Sequence, residues 1–221
     1  MKLIVSLLII VLIFITGSLC IPNGSIYISP TMNNEICESN FIAGIGYSLP
    51  YESCVNFGNS SVYTSGNGLS FDVYWMDNCQ SKQILVNYTF ANFGCSNFYV
   101  PNSPTFQSIV SSEGVPPRNA LVYTYYYNSK EGECSGDSYY KYYTNQYVLP
   151  LENGKTVEYT CVNNFPIART CQNLNCQDTD YSLGTCNNAD SNNPYPYTIT
   201  CSNTPPPPFG DEKQPRISFN F

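Results

Sequence analysis

Ten cysteines limit what this chain can fold into before any strand is assigned. Cys37, Cys54, Cys79, Cys95 and Cys134 lie in one stretch, and Cys161, Cys171, Cys176, Cys186 and Cys201 in the next. Five is odd, so if every cysteine pairs within the chain, at least one bridge joins the two stretches. Two separately sealed domains divided between Cys134 and Cys161 are thereby excluded. A metal site competes poorly with disulfides. The chain has no histidine, and the tightest spacing is Cys171-x4-Cys176 rather than a C-x-x-C pair.

The eleventh cysteine, Cys20, belongs to a segment expected to be removed. Met1 and Lys2 give a basic start, Leu3 to Ile15 is apolar apart from Ser6, and Thr16-Gly17-Ser18-Leu19-Cys20 carries small residues at a cleavage position. This pattern predicts a secretory signal peptide over 1–20 with cleavage before Ile21. The apolar run is shorter than the roughly 20 residues needed to span a bilayer, so no membrane span is expected after cleavage. An even cysteine count in the mature chain and an oxidising compartment fit together.

Composition removes whole function classes. Lys+Arg 9 against Asp+Glu 16 gives a formal net charge of −7, so a nucleic-acid partner is not expected. Without histidine there is no Ser-His-Asp or Cys-His nucleophile and no imidazole-ligated zinc, haem or copper, and no cofactor or metal is expected. Three sequons, Asn23-Gly24-Ser25, Asn59-Ser60-Ser61 and Asn87-Tyr88-Thr89, mark N-glycosylation acceptors. In the alternating run Ile84 to Phe90, Asn87 falls on the face opposite Ile84, Val86, Tyr88 and Phe90, where a glycan can sit.

β-Branched and aromatic runs separated by Asn, Gly, Ser and Pro predict an all-β fold. Strands are expected at Ser25 to Ser29, Ser61 to Thr64, Leu69 to Asp77, Lys82 to Phe90, Asn97 to Val100, Thr105 to Val110, Ala120 to Tyr127, Tyr139 to Leu149, Lys155 to Val162 and Tyr195 to Cys201. Their number and spacing suggest an antiparallel, disulfide-stabilised β-sandwich-like domain over 21–204. Phe71, Val73 and Trp75, together with Val157, Tyr159 and Cys161, are the inward faces expected from the alternation. The stretch Cys161 to Cys201 reads as a loop-rich stapled segment. Beyond it, Pro205 to Pro208 open an exposed proline-rich tail over 205–221 that favours polyproline II and ends sheet pairing.

Chemistry is concentrated in tyrosine. Between Tyr123 and Tyr147 stand the runs Tyr125-Tyr126-Tyr127, Tyr139-Tyr140 and Tyr142-Tyr143. A turn around Glu131 to Gly136 makes them a hairpin, with one tyrosine face inward and the other turned to solvent. Tyr123, Tyr125, Tyr127, Tyr140 and Tyr142 are the candidate ligand-binding residues, because tyrosine offers apolar area with a polar tip at low entropic cost. Carboxylates are the remaining acid/base groups: Asp72 and Asp77, then Glu131, Glu133 and Asp137, then Asp178 and Asp180. Asp72 and Asp77 are five apart on one strand and point to opposite faces, a poor glycosidase pair. Asp178-x-Asp180-x-Ser182 opens like a calcium loop but departs from the EF-hand pattern at Leu183 and Ala189.

The Asn, Tyr and Ser bias behind a signal peptide resembles secreted cysteine-rich proteins of social amoebae. The resemblance covers the mature chain and implies an extracellular or endolysosomal setting; it carries no catalytic residue across. The leading reading is a secreted, N-glycosylated, non-catalytic binding protein whose tyrosine surface meets a glycan or an extracellular protein partner. A carboxylate-only glycosidase and a structural component of an extracellular matrix or coat are the alternatives.

Overall fold

The computed structural model describes residues 24–31, 43–57, 60–64, 70–74, 79, 84–89, 95–98, 106–111, 114–130, 132–190 and 194–203; within 70–74, 84–89, 95–98 and 106–111 it describes backbone pairing. Among these residues the fold is all-β, with antiparallel pairing throughout and one 3-10 turn at Glu152–Gly154. The largest sheet contains β1 (Ser25–Thr31), β2 (Ile45–Pro50), β7 (Cys95–Phe98), β8 (Phe106–Ser111), β9 (Leu121–Tyr126), β10 (Ser138–Tyr143) and β15 (Tyr197–Cys201). Its order is β15-β9-β10-β2-β1-β8-β7. Two four-stranded meanders complete the described fold. One is β3 (Cys54–Asn56), β4 (Ser61–Thr64), β5 (Ser70–Tyr74) and β6 (Ile84–Thr89); the other is β11 (Tyr147–Pro150), β12 (Lys155–Val162), β13 (Phe165–Gln172) and β14 (Asn175–Asp180).

Both small sheets cover one face of the large one, which gives the sandwich its two layers. Register places Ile26, Ile28, Tyr47, Leu49, Tyr125, Tyr139 and Tyr143 on that face. They share a core cluster with Val55 and Val62 from one meander and Cys161 from the other. In β12, Val157 and Cys161 are buried and Tyr159 packs on the core, as the alternation predicts. Trp75 lies outside the described residues, as do the side chains of Phe71 and Val73.

The two middle strands of the large sheet show why a central strand is hard to read. All six residues of β2 are buried, so Ile-Gly-Tyr-Ser-Leu-Pro lacks the polar alternation of a half-buried strand. Gly46 is required there. Tyr142 packs across it on β10, 2% exposed, with its hydroxyl 3.3 Å from Ser29 Oγ. A Cβ at position 46 would fall inside that ring. Gly46→Ala is expected to destabilise by about 3 kcal/mol in a urea titration, and adding Tyr142→Leu should recover part of the loss. An unchanged midpoint for Gly46→Ala would refute the clash.

Two stretches fold differently from the sequence expectation. Tyr139 to Leu149 is two strands in two sheets, because Gly44 N donates to Thr144 Oγ1 at 2.9 Å, Thr144 N donates to Gly44 O, and Gln146 takes φ 60°. The turn hands the chain from β10 to β11. Residues 163–180, expected to be loop, form β13 and β14, a polar ribbon whose outer strand β14 is exposed at every residue. Loop structure in the C-terminal segment is confined to the connection between β14 and β15. Tight turns at Asn163-Asn164 and Asn173-Leu174, all at positive φ, close the ribbon's two hairpins.

Four disulfides are described: Cys54–Cys79, Cys134–Cys186, Cys161–Cys201 and Cys171–Cys176. Cys134–Cys186 joins the two cysteine groups, as their odd counts require. Cys161–Cys201 ties the ribbon to the large sheet, and Cys171–Cys176 clamps directly opposed residues of β13 and β14. Cys37 and the side chain of Cys95 lie outside the described residues.

Candidate ligand-binding groove

The tyrosine hairpin forms in the expected place. β9 pairs with β10 so that Tyr125 opposes Tyr139, Tyr123 opposes Lys141, and Val122 opposes Tyr142. Neither face, however, is a solvent-exposed platform. Tyr125 is 7% exposed and stacks on Tyr139, with ring centroids 5.0 Å apart. Tyr123 is half-buried among Tyr143, Tyr181 and Tyr197. On the opposite face, the Tyr142 ring lies across Gly46, and half-buried Tyr140 packs against Tyr27 at 6.2 Å. The five candidate tyrosines are thus divided between two faces and do not converge on one surface.

Burial has an electrostatic consequence. Desolvation pushes the phenols of Tyr123, Tyr125, Tyr139, Tyr143 and Tyr159 above their ordinary range; neighbouring tyrosines add to the shift at Tyr123, Tyr125, Tyr139 and Tyr159, whereas at Tyr143 the hydrogen bond with Tyr159 partly offsets it. Tyr142 is pushed up to about 12 by burial, partly offset by its hydrogen bond to Ser29. Tyr147 is also raised by burial to about 12. These hydroxyls remain protonated donors throughout the physiological range.

A groove of about 490 Å³ opens at the loop end of the hairpin, and of the five candidates only Tyr127 lines it. Tyr126, Tyr195, Pro194 and Pro196 supply most of its other apolar surface, and Asn188 and Ser129 its polar groups. Among the described residues no lining residue is charged. The rings are held from behind. Tyr195 Oη accepts from Asn56 N at 3.0 Å, and its ring meets Tyr139 edge-on at 6.1 Å. Tyr127 packs against Tyr139 and Tyr195, and its N–H donates to Asp137 O. Tyr126 N donates to Pro196 O, and its carbonyl accepts from Ser129 Oγ.

The walls are fixed as well. Cys134–Cys186 bolts the loop after β9 to the loop before β15, beside the lining residue Gly132. Asn187 and Tyr197 exchange two backbone hydrogen bonds, of 2.8 and 2.9 Å. Asn128 Nδ2 donates to Asp137 Oδ2 at 2.8 Å. Such a site meets a ligand with little loss of its own freedom. Sequence reasoning missed Tyr195 and the two prolines, which sit some seventy residues from Tyr126 and Tyr127. The available signal was the string Pro194-Tyr195-Pro196-Tyr197, where prolines fix the chain direction and the alternation sends Tyr195 away from the strand.

The carboxylates do not gather here into an acid/base pair. Asp178 sits in exposed β14 with Arg169 Nε 2.8 Å away, and that hydrogen bond holds its carboxyl below the usual range, the reverse of what a general acid needs. Exposed Asp137 accepts from Asn128. Asp77 and Glu131 lie outside the described residues, as does the side chain of Asp72. Among the described residues no group of three or more His, Cys, Asp or Glu could hold a metal ion, and no helix is long and apolar enough to cross a membrane.

Of the glycosylation acceptors, Asn23 and Asn59 lie outside the described residues. Asn87 is placed by backbone register alone, in mid-β6 opposite Asp72, in the row that continues through Tyr63 and Cys54. The buried Val55 and Val62 belong to the other face of that sheet.

The fold and groove define a class: a disulfide-stapled, antiparallel β protein with a rigid, uncharged aromatic groove, suited to an oxidising, extracellular setting. The chain belongs to the counting factor-associated protein A/B/C family, whose match runs over residues 1–203. That membership agrees with the resemblance to secreted proteins of social amoebae. No curated protein and no solved structure matches the chain.

Proposed function

We propose that this is a non-catalytic extracellular binding protein that holds a neutral glycan in the groove lined by Tyr126, Tyr127 and Tyr195. The observation that carries this reading is the lining itself: rings of Tyr127 and Tyr195 packed against the core, a third tyrosine in Tyr126, polar groups from Ser129 and Asn188, and no charge among the described lining residues. Apolar ring faces cover the C–H surface of a sugar, and a few fixed polar groups orient its hydroxyls. A phosphorylated or sulfated ligand would find no cation in the lining.

The test is retention of the purified protein on insoluble polysaccharides and intact cells. Tyr127→Ala and Tyr195→Ala are each expected to weaken retention about tenfold, the effect of losing one stacking contact worth a little over 1 kcal/mol. Leu174→Ser, fully exposed at a ribbon tip, should leave it unchanged. Retention that survives both tyrosine substitutions, or no retention on any matrix, would remove the groove from consideration. The same reading includes removal of residues 1–20 on secretion and N-glycans at Asn23, Asn59 and Asn87. Endoglycosidase treatment of the secreted protein should lower its mass, and an unshifted mass would discard the glycans.

A further inference from the structure

We propose that the proline run Pro205 to Pro208 of one copy docks in the aromatic groove of a second copy, so that the chain associates head to tail. Aromatic grooves flanked by hydrogen-bond donors take extended proline-rich segments, because the polyproline II conformation is already formed and little entropy is lost. The groove has that character: rings of Tyr126, Tyr127 and Tyr195, the edges of Pro194 and Pro196, and the Asn188 amide, which can donate to a carbonyl. The chain carries a matching segment, Thr204-Pro-Pro-Pro-Pro-Phe209, directly after the last described residue, Asn203.

The position of Asn203 argues for a second copy rather than the same one. β15 runs antiparallel to β9, with Tyr197 opposite Tyr125 at the groove end and Cys201 opposite Leu121 at the far end. Beyond Cys201, Ser202 and Ala120 pair through the backbone, and Ser202 Oγ donates to Pro116 O. Asn203 therefore leaves the sheet roughly 20 Å from the groove, at about 3.3 Å per residue of strand. Residues 204–208 span only about 16 Å as polyproline II, so the run falls short of its own groove even if the chain reverses at once. A neighbouring molecule imposes no such limit.

A contact between one patch and a different patch joins copies head to tail, closing as a ring where the rotation allows and growing as an open chain where it does not, so the mass should rise with concentration.

The test uses the full mature chain without any glycan, so this inference and the glycan reading can fail separately. Light scattering is expected to show a mass that rises with concentration. Pro206→Ala with Pro207→Ala in the full chain, and separately Tyr195→Ala, should each return the protein to a monomer. A synthetic peptide of residues 203–214 should reverse the association and, titrated into the Pro206→Ala, Pro207→Ala chain, perturb groove resonances in proton NMR. A constant monomer mass at every concentration would overturn the proposal, even if the peptide binds, since that result would place the tail elsewhere. Association that persists in both variants would overturn it as well.

Discussion

Raising the pH through 10 is expected to leave the fold intact, and between about 11 and 12 the protein should unfold in one cooperative step. Tyr123, Tyr125, Tyr139, Tyr142 and Tyr143 are the reason. Each ionises near 10 in the unfolded chain but higher in the folded one, because the core will not solvate a phenolate. Below pH 10 both states are protonated and these groups contribute nothing to pH dependence. Above it the unfolded state loses protons that the folded state keeps, so stability falls by a little over 1 kcal/mol per pH unit for each phenol. For Tyr142 the fall stops near its folded value of about 12. Five such groups remove roughly 7 kcal/mol per pH unit, comparable to the whole stability of an ordinary domain. Phenolate absorbance and circular dichroism, followed together, should show an early rise from accessible tyrosines and a later jump coincident with loss of the β signal. A single smooth titration near pH 10 with the β signal intact would mean that the aromatic core is wet.

Breaking the Cys161–Cys201 bridge with Cys161→Ala and Cys201→Ala should cost about 4 kcal/mol. Breaking Cys171–Cys176 in the same way should cost about 2 kcal/mol. The difference follows from the loops they close: separations of 40 and 5 residues, with the entropy removed from the unfolded chain growing as the logarithm of that length. Context widens the gap. Cys161 is buried between the ribbon and β9, whereas Cys176 lies on exposed β14 and its hairpin is already held by backbone pairing. Urea midpoints of the two variants against the parent would decide it. Equal losses, or a larger loss for the short bridge, would show that native-state strain rather than chain entropy governs these bridges.

Particular elements show how far the sequence could be read. β4 and β12 were legible to the residue, and β9 and the start of β10 within one residue, because period-2 alternation and turn residues are local signals. β2 was not, since burial on both faces erases the alternation. β13 and β14 were missed for other reasons: β14 is so polar that it reads as loop, and β13 carries Pro166 and Arg169 in a short apolar run with no clear alternation. What makes them strands is the eight-pair ladder of β13 with β12 and the six-pair ladder of β14 with β13, clamped by Cys171–Cys176. At the site, the importance of tyrosine was legible but its distribution was not. Alternation assigns Tyr125 and Tyr142 to opposite faces without saying that both rings are buried.

The sequence by itself determined the class of fold, the even set of mature cysteines, the need for a bridge between their two groups, and a tyrosine hairpin in a histidine-free chain. Those are properties of composition, parity and local period. Only the tertiary structure decided which cysteines meet, that tyrosines on both hairpin faces are buried, and that Tyr127 and Tyr195 face one groove. These depend on contacts between residues distant in the chain: Cys134 with Cys186, Tyr139 with Asn56, and Tyr126 with Pro196. An alternating strand specifies the direction of each side chain but not what stands in front of it.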